Sequence, residues 1–423
     1  MMTTEEKNRQ LETEEKINIE KRKLEEKLIK KKKEMRIKRS VSKIFVFDDS
    51  WQRRKFDCKQ LPDLRIEEFY QKDTFVNQRQ FGTQIHQAFD DMNVTHVLAV
   101  APTQSGKTGT MLALIREFNK SDSTQRVDYD HIFIFTSHSS IEWTEQTKKR
   151  FPMSMRHRIY HRNQLKQFID DVTNLDNILI IFDESHIANM YGQTLFSLYN
   201  KLGFFNIKRL YSKNIKIVHF TATPHNIILN THRWQNSLKV IHMQVPENYI
   251  SYEHYLHNKQ IFECKPLLGQ IDNIREILDF IDIHNPYYHI IRTPRGHKHH
   301  ELLNDFKFAF ERFNFEFISE PLYRKQGRNF YNLLSHKPNV HTFIFIIDKL
   351  RCAKSIQIQH IQIFYERFVL QPKIETVLQS ILGRCTGYHT FNSHIRIFTF
   401  KHFIQYHNFT THNFKTIHNL FSP

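Results

Sequence analysis

Cysteine, glycine and proline are all scarce in this chain of 423 residues, at 4, 10 and 12 respectively. The cysteines, Cys58, Cys264, Cys352 and Cys385, are scattered and form no C-x-x-C pair. That excludes a zinc-ribbon signature and a disulfide framework, and points to a reducing compartment. No run approaches the ~18 consecutive apolar residues of a membrane span, and the first residues lack the apolar core of a signal peptide. The chain therefore reads as soluble and intracellular, without a membrane partner. With so few glycines, each one inside a motif carries unusual information.

What is abundant is phenylalanine, at 37, and positive charge. Hydrophobic residues make up 40%, enough to fill the cores of two or three domains at this length. The formal charge of +17 and isoelectric point near 9.5 favour a polyanionic partner, nucleic acid foremost. Residues 1–40 hold 14 Lys and Arg against 9 Glu, a net +5, so the remainder carries +12 in its own right. Glu12 with Lys16 and Glu26 with Lys30 stand at helical spacing, yet nothing in this stretch could bury a core. It reads as a charged N-terminal arm, helical or disordered.

From about residue 70 the pattern becomes strand, loop, helix, repeated. VLAVA (97–101), HIFIFTS (131–137), NILIIFDE (177–184) and IKIVHFTAT (215–223) are short apolar runs rich in β-branched and aromatic residues. A second set follows in YYHIIRT (287–293), FEFIS (315–319), HTFIFIID (341–348) and HIRIFTF (394–400). Near-continuous apolar runs alternating with helices predict parallel sheets covered on both faces. Residues 225–260, rich in His and Asn, read as a connection. Two α/β domains in tandem are expected, over 70–245 and 260–423.

Two segments carry chemistry. VLAVAPTQSGKTGTM (97–111) supplies strand, loop and an amphipathic helix in the order a phosphate loop needs, so that backbone N–H groups and a helix N-terminus converge on phosphates. It departs from G-x-x-x-x-G-K-[ST] at Ala101. Lys107 would reach the β- and γ-phosphates, Thr108 would ligate Mg2+, and Gly106 leaves room for close approach. NILIIFDESH then delivers adjacent carboxylates at a strand end: Asp183 to hold Mg2+ and Glu184 to polarise an attacking water. An ordinary strand-turn-helix and a strand ending in a polar turn would explain each alone, but not the ordered pair.

In this combination the chain resembles a superfamily 2 helicase. There the first motif commonly begins with alanine, so Ala101, Pro102, Thr103, Gln104, Ser105, Gly106, Lys107 and Thr108 align with the ATP-binding loop, Gln104 standing where glycine is usual. DESH (183–186) matches the DExH form of motif II and TATP (221–224) matches motif III, which makes His186, Thr221, Ala222 and Thr223 coupling residues. TSHSS (136–140) and the following WTEQTKKRF (143–151) resemble motif Ia, giving Thr136 a nucleic-acid contact. NQRQFGTQ (77–84) resembles the adenine-reading glutamine region, with Gln78, Gln80 and Gln84 as alternatives. HTFIFIIDKLRCAKS (341–355) has the shape of motif V, with Arg351 facing nucleic acid. QSILGRCTGY (379–388) resembles motif VI, whose Arg384 would reach across a cleft to the γ-phosphate. Two departures stand out there. Gln379 lies one residue further from Gly383 than in the usual Q-x-x-G-R, and Gly387 replaces the usual second arginine. The Q…GR…GY form is similar to helicase-like proteins of large DNA viruses and phages, and the Ile, Asn, Lys and Phe usage suits an AT-rich genome.

Outside the motifs, RTPRGHK (292–298) offers Arg292 as a phosphate contact. HKHH (297–300) reads as a solvated basic loop, since metal-ligand spacing is absent. Trp234 suits either base stacking or packing of the connection. The resemblance implies two tandem RecA-like parallel-sheet domains binding ATP and Mg2+ between them, moving on or unwinding DNA or RNA without sequence preference, as a monomer in a host cytoplasm or virion. Two other readings stay open: a nucleic-acid-binding protein with a degraded motor, such as a virion component, and a duplex translocase that separates no strands. For the arm, deleting residues 1–40 is expected to weaken nucleic-acid binding more at low salt than at high salt. A salt titration of binding checks this; an unchanged slope would make the arm a spacer.

Overall fold

The computed structural model describes Tyr70 and most of residues 74–405. Outside the described residues lie 1–69, 71–73, 121, 122, 124, 137–146, 185–193, 225–233, 235, 236, 348, 349, 351–355 and 406–423. The charged arm, most of motif Ia, His186 and Arg351 therefore lie outside them.

Twelve strands are described. In the first sheet they are β1 (His96–Val100), β2 (Ile132–Thr136), β3 (Ile159–His161), β4 (Ile178–Asp183), β5 (Ile215–Thr221) and β6 (Leu238–His242), in the order β3-β2-β4-β5-β1-β6. In the second they are β7 (Ile261–Glu263), β8 (Tyr288–Arg292), β9 (Glu316–Ser319), β10 (Thr342–Ile346), β11 (Ile361–Tyr365) and β12 (Arg396–Thr399), in the order β7-β12-β11-β8-β10-β9. Every pairing between these strands is parallel. Two parallel six-stranded sheets with interleaved helices are two RecA-like domains.

Alternation along the strands shows why both faces are covered. In β1, Val97 and Ala99 join one buried cluster while Leu98 and Val100 join another. In β4, Leu179 and Ile181 go to the first and Ile178, Ile180 and Phe182 to the second. Side chains of a strand point alternately to opposite faces, so a strand apolar at every position must be buried twice. The second sheet repeats this, with Ile344 and Ile346 of β10 on one face and Phe343 and Phe345 on the other. The stretch 225–260, read as a connection, supplies β6 as a sixth strand beside β1.

Two helices frame the candidate loop. Helix α1 (Val76–Gln87) lies on α2 (Lys107–Asn119), and the crossing is at Gly82. A Cβ there would stand 2.9 Å from both the Ala113 Cβ and the Leu114 N, so only glycine admits this approach. The sequence expectation of an amphipathic α2 is corrected by this cover, which buries nine of its residues, from Gly109 through Phe118, on all sides.

Trp234 is fully buried and stacks on His96 at 4.7 Å and on His219 at 5.0 Å, so it packs the core and offers no face to a base. Burial holds the His96 imidazole well below its ordinary value, with His219 adding to the effect, and lowers His219 to about 3. In the second sheet His289 is likewise held well below by burial, with its Nε2 3.0 Å from His341 Nδ1. The unfolded chain protonates these rings near 6.5, the folded one only far lower. Their contribution to stability is therefore complete above about pH 6.5 and falls as pH drops below it. The thermal midpoint should fall between pH 7 and 5, and His219→Asn should make that fall shallower. A midpoint constant over this interval would contradict the assignment.

Candidate nucleotide site between the two sheets

The loop that leaves β1 is pinned at both ends. Ala101 N donates to Thr221 O at 2.9 Å, tying the loop to the end of β5, and Ser105 N donates to Pro102 O at 3.2 Å, closing a turn. Gln104 and Gly106 both take left-handed backbone, with φ of 61° and 92°. Gly106 is the N-cap of α2, and a Cβ on it would fall 1.9 Å from Gln78 Nε2. No side chain fits there, so the backbone stays open at the helix N-terminus, where unpaired N–H groups attract anions. Gln78 is buried, donates to Ser105 O at 3.4 Å and accepts from Phe75 N at 3.1 Å. Gln80 and Gln84 are exposed, so Gln78 is the glutamine that the fold sets against this loop.

Strand β4 carries Asp183 to the same edge. Lys107 Nζ stands 3.0 Å from Glu184 Oε1, and Glu184 N donates to Asp183 Oδ1 at 3.0 Å. Glu184 holds φ of 51°, a conformation that a non-glycine residue keeps only where its surroundings impose it. Burial would lower the Lys107 ammonium, but the adjacent Glu184 and Asp183 outweigh it and the net shift is upward. Burial and the Glu184 charge push Asp183 up to about 7, with Lys107 opposing. A half-buried cation and two buried, crowded carboxylates thus stand together, each altering the charge of the others.

ATP with Mg2+ requires an open anion cradle, a hydroxyl and one carboxylate, since the ion draws its other oxygens from phosphate and water. The Gly106 backbone, Thr108 at the start of α2 and Asp183 at the end of β4 fit that requirement. Thr108 and Asp183 would hold the cation, which would neutralise charge on the β- and γ-phosphates. Among the described residues there is no group of three His, Cys, Asp or Glu that could hold a metal ion. Arg150, not singled out from sequence, brings Nη1 to 3.5 Å from Thr108 Oγ1.

The second sheet contributes a segment that closes on this loop. Helices α3 (Ile374–Gln379) and α4 (Ile381–Arg384) are separated by a break at Ser380, which absorbs the extra residue between Gln379 and Gly383. Gln379 Nε2 donates to Thr223 Oγ1 at 2.9 Å, and Thr223 N donates to Thr221 Oγ1 at 3.0 Å, so TATP and QSILGR touch. Arg384 is 1% exposed; its Nε and Nη2 donate to Ser380 O and Gln379 O at 3.3 and 3.0 Å, and its charge acts on Lys107. Thr386 Oγ1 and Tyr249 OH both donate to Thr103 O, at 2.9 and 2.6 Å, and Tyr388 OH donates to Ser105 O at 3.2 Å.

No family model matches the chain. By sequence it is 29% identical over 339 residues to an uncharacterized protein, L594, of Acanthamoeba polyphaga mimivirus, covering 73% of this chain and 80% of that one. By structure it is similar to S. cerevisiae Dbp5 bound to RNA and ADP BeF3, at 13% identity and a TM-score of 0.45, covering 84% of this chain and 98% of that one. It is also similar to the Escherichia coli DEAH/RHA helicase HrpB, at 11% identity and a TM-score of 0.39, covering 62% of this chain and 34% of that one. The assignment of the fold rests on strand order and register, not on these scores.

Three sequence expectations are corrected. Arg292, expected to meet phosphate, is 4% exposed, with Nε 2.7 Å from Glu366 Oε1 and Nη2 donating to Ser380 Oγ at 2.7 Å. Ser380 Oγ in turn donates to Glu366 Oε2 at 2.5 Å, so Arg292 and Glu366 clamp the break that precedes Arg384. Thr136, expected at nucleic acid, is fully buried in register with Asp183 and has no surface to offer a strand. HKHH is not a solvated loop: it opens a helix (His297–Ala309), and His299 is buried with its ring nitrogens 2.6 Å from Thr293 Oγ1 and 2.8 Å from Ser319 Oγ. Arg292→Ala would strand the Glu366 carboxylate in the interior, a loss of about 3–5 kcal/mol. A marked drop in thermal midpoint is expected, with the salt slope of nucleic-acid binding unchanged. An unaltered midpoint and a slope reduced by about one would restore the phosphate-contact role.

Proposed function

We propose that this chain is an ATP-dependent nucleic-acid motor of the superfamily 2 helicase type, hydrolysing ATP between its two RecA-like domains. The observation that carries the reading is the cluster of half-buried Lys107 with buried Asp183 and Glu184 at the edge of one sheet, with Arg384 from the other domain inside its electrostatic reach. Lys107 is paired with Glu184. Nucleotide would compete for that ammonium, and Lys107 would turn to the β- and γ-phosphates. Glu184, released, would orient and polarise the attacking water, while Asp183 and Thr108 hold Mg2+. Arg384 would leave its backbone carbonyls to stabilise charge on the γ-phosphate. The Gln379–Thr223 bond is the route by which the nucleotide state would reach the grip on nucleic acid. That grip would rest mostly on phosphate contacts, and so would be indifferent to sequence.

One observation favours the degraded-motor alternative. The Arg384 guanidinium is bonded to carbonyls of its own segment, and Gly387 takes the place of a second arginine. Glu184→Gln separates the readings, because it removes the carboxylate while keeping its shape. An active motor should lose turnover by about a hundredfold or more, within the range a positioned base contributes, and still bind ATP. A protein that binds ATP but shows no turnover before the substitution would support the degraded motor.

A further inference from the structure

Gln104 occupies a backbone conformation that glycine adopts without strain, with φ of 61°. A side chain retained there calls for a compensating contact, and the structure shows it. The Gln104 amide donates to Gly383 O at 2.9 Å and to Arg384 O at 3.2 Å, gripping the carbonyls on either side of Arg384. Gly387 lies against the same side chain: a Cβ on it would stand 3.4 Å from Gln104 Cβ, and its φ of 125° suits glycine alone. A Cβ on Gly383 would likewise approach Thr103 Cγ2 to 2.9 Å. Two of the departures from the helicase pattern, a glutamine in the loop and a glycine after Arg384, are therefore one contact between the domains.

We propose that Gln104 is a positioning residue that holds the Arg384 segment against the nucleotide loop, in place of the second arginine this chain lacks. The hydroxyls of Thr386 and Tyr388 act in the opposite direction, donating to loop carbonyls and fixing the loop to the second domain, and Tyr249 of the connection donates to the same Thr103 carbonyl as Thr386. Gln104 reaches out of the loop to the backbone that carries Arg384. Movement of the loop on nucleotide binding would thus be transmitted directly to the arginine. As far as turnover is concerned, the proposal rests on the ATPase reading; the contact itself does not.

The test uses the full chain with Gln104→Gly and Gln104→Glu. Glycine relieves the backbone, so the thermal midpoint should not fall, while loss of the bridge should lower kcat about three- to tenfold with KM for ATP little changed. Glutamate, with a carboxylate facing two carbonyls, should lower kcat further. A pair of spin labels, one in each domain, should report a longer or broader distance in nucleotide-free Gln104→Glu than in the wild type. An unchanged kcat in both variants, or a loss that follows the thermal midpoint, would overturn the proposal. If the wild type shows no turnover, the ATPase reading fails on its own, and the label distance still decides: no change in Gln104→Glu overturns the positioning role.

Discussion

A parallel sheet returns its chain to the same edge before each new strand begins, and this constraint organises the molecule. Every strand of the first sheet ends at one edge, so the loops after β1, β4 and β5 must gather there whatever their separation in sequence. Ala101–Thr108, Asp183–Glu184 and Thr221–Thr223 are neighbours for that reason, and the Ala101–Thr221 hydrogen bond fastens two of them directly. Left-handed backbone at the non-glycine residues Gln104 and Glu184 concentrates strain at the same edge. The apolar strands beneath supply the rigidity that keeps such conformations in place.

The meeting of the two domains follows from where hydrogen-bonding groups are left over. The loop presents the carbonyls of Thr103 and Ser105; the second domain brings the hydroxyls of Thr386 and Tyr388 to them, and the connection brings that of Tyr249. The Arg292–Glu366–Ser380 network then stiffens the break before Arg384, so that the segment approaching the loop is itself held firmly. A buried ion pair is a poor source of net stability, but it fixes one geometry strongly, here that of the break before Arg384.

The strands were largely legible because a buried parallel strand is apolar at every position, and all eight sequence-derived runs contain a strand. Those overlooked were β3, β6, β7 and β11: three are short or half-exposed, and β11 sits in QHIQIFYERF, where glutamines interrupt the run. The loop and the carboxylate pair stood out in sequence by residue type and spacing, and the structure brings Lys107, Asp183 and Glu184 together. Arg292 and Thr136 were misread for the same physical reason: a polar residue at a strand end looks the same in sequence whether it faces solvent or braces a neighbour. Burial decides that, and burial is a property of the fold. The pairing of Gln104 with Gly387, positions nearly three hundred residues apart, carried no sequence signal beyond two separate irregularities.

Steady-state ATP hydrolysis by the purified full chain tests the central claim most directly, measured alone and with single-stranded DNA, single-stranded RNA or duplex, with Lys107→Ala as the blank. A motor of the proposed kind shows hydrolysis stimulated by one strand type and abolished in Lys107→Ala. Hydrolysis that survives Lys107→Ala, or nucleic-acid binding with no hydrolysis on any track, would contradict it.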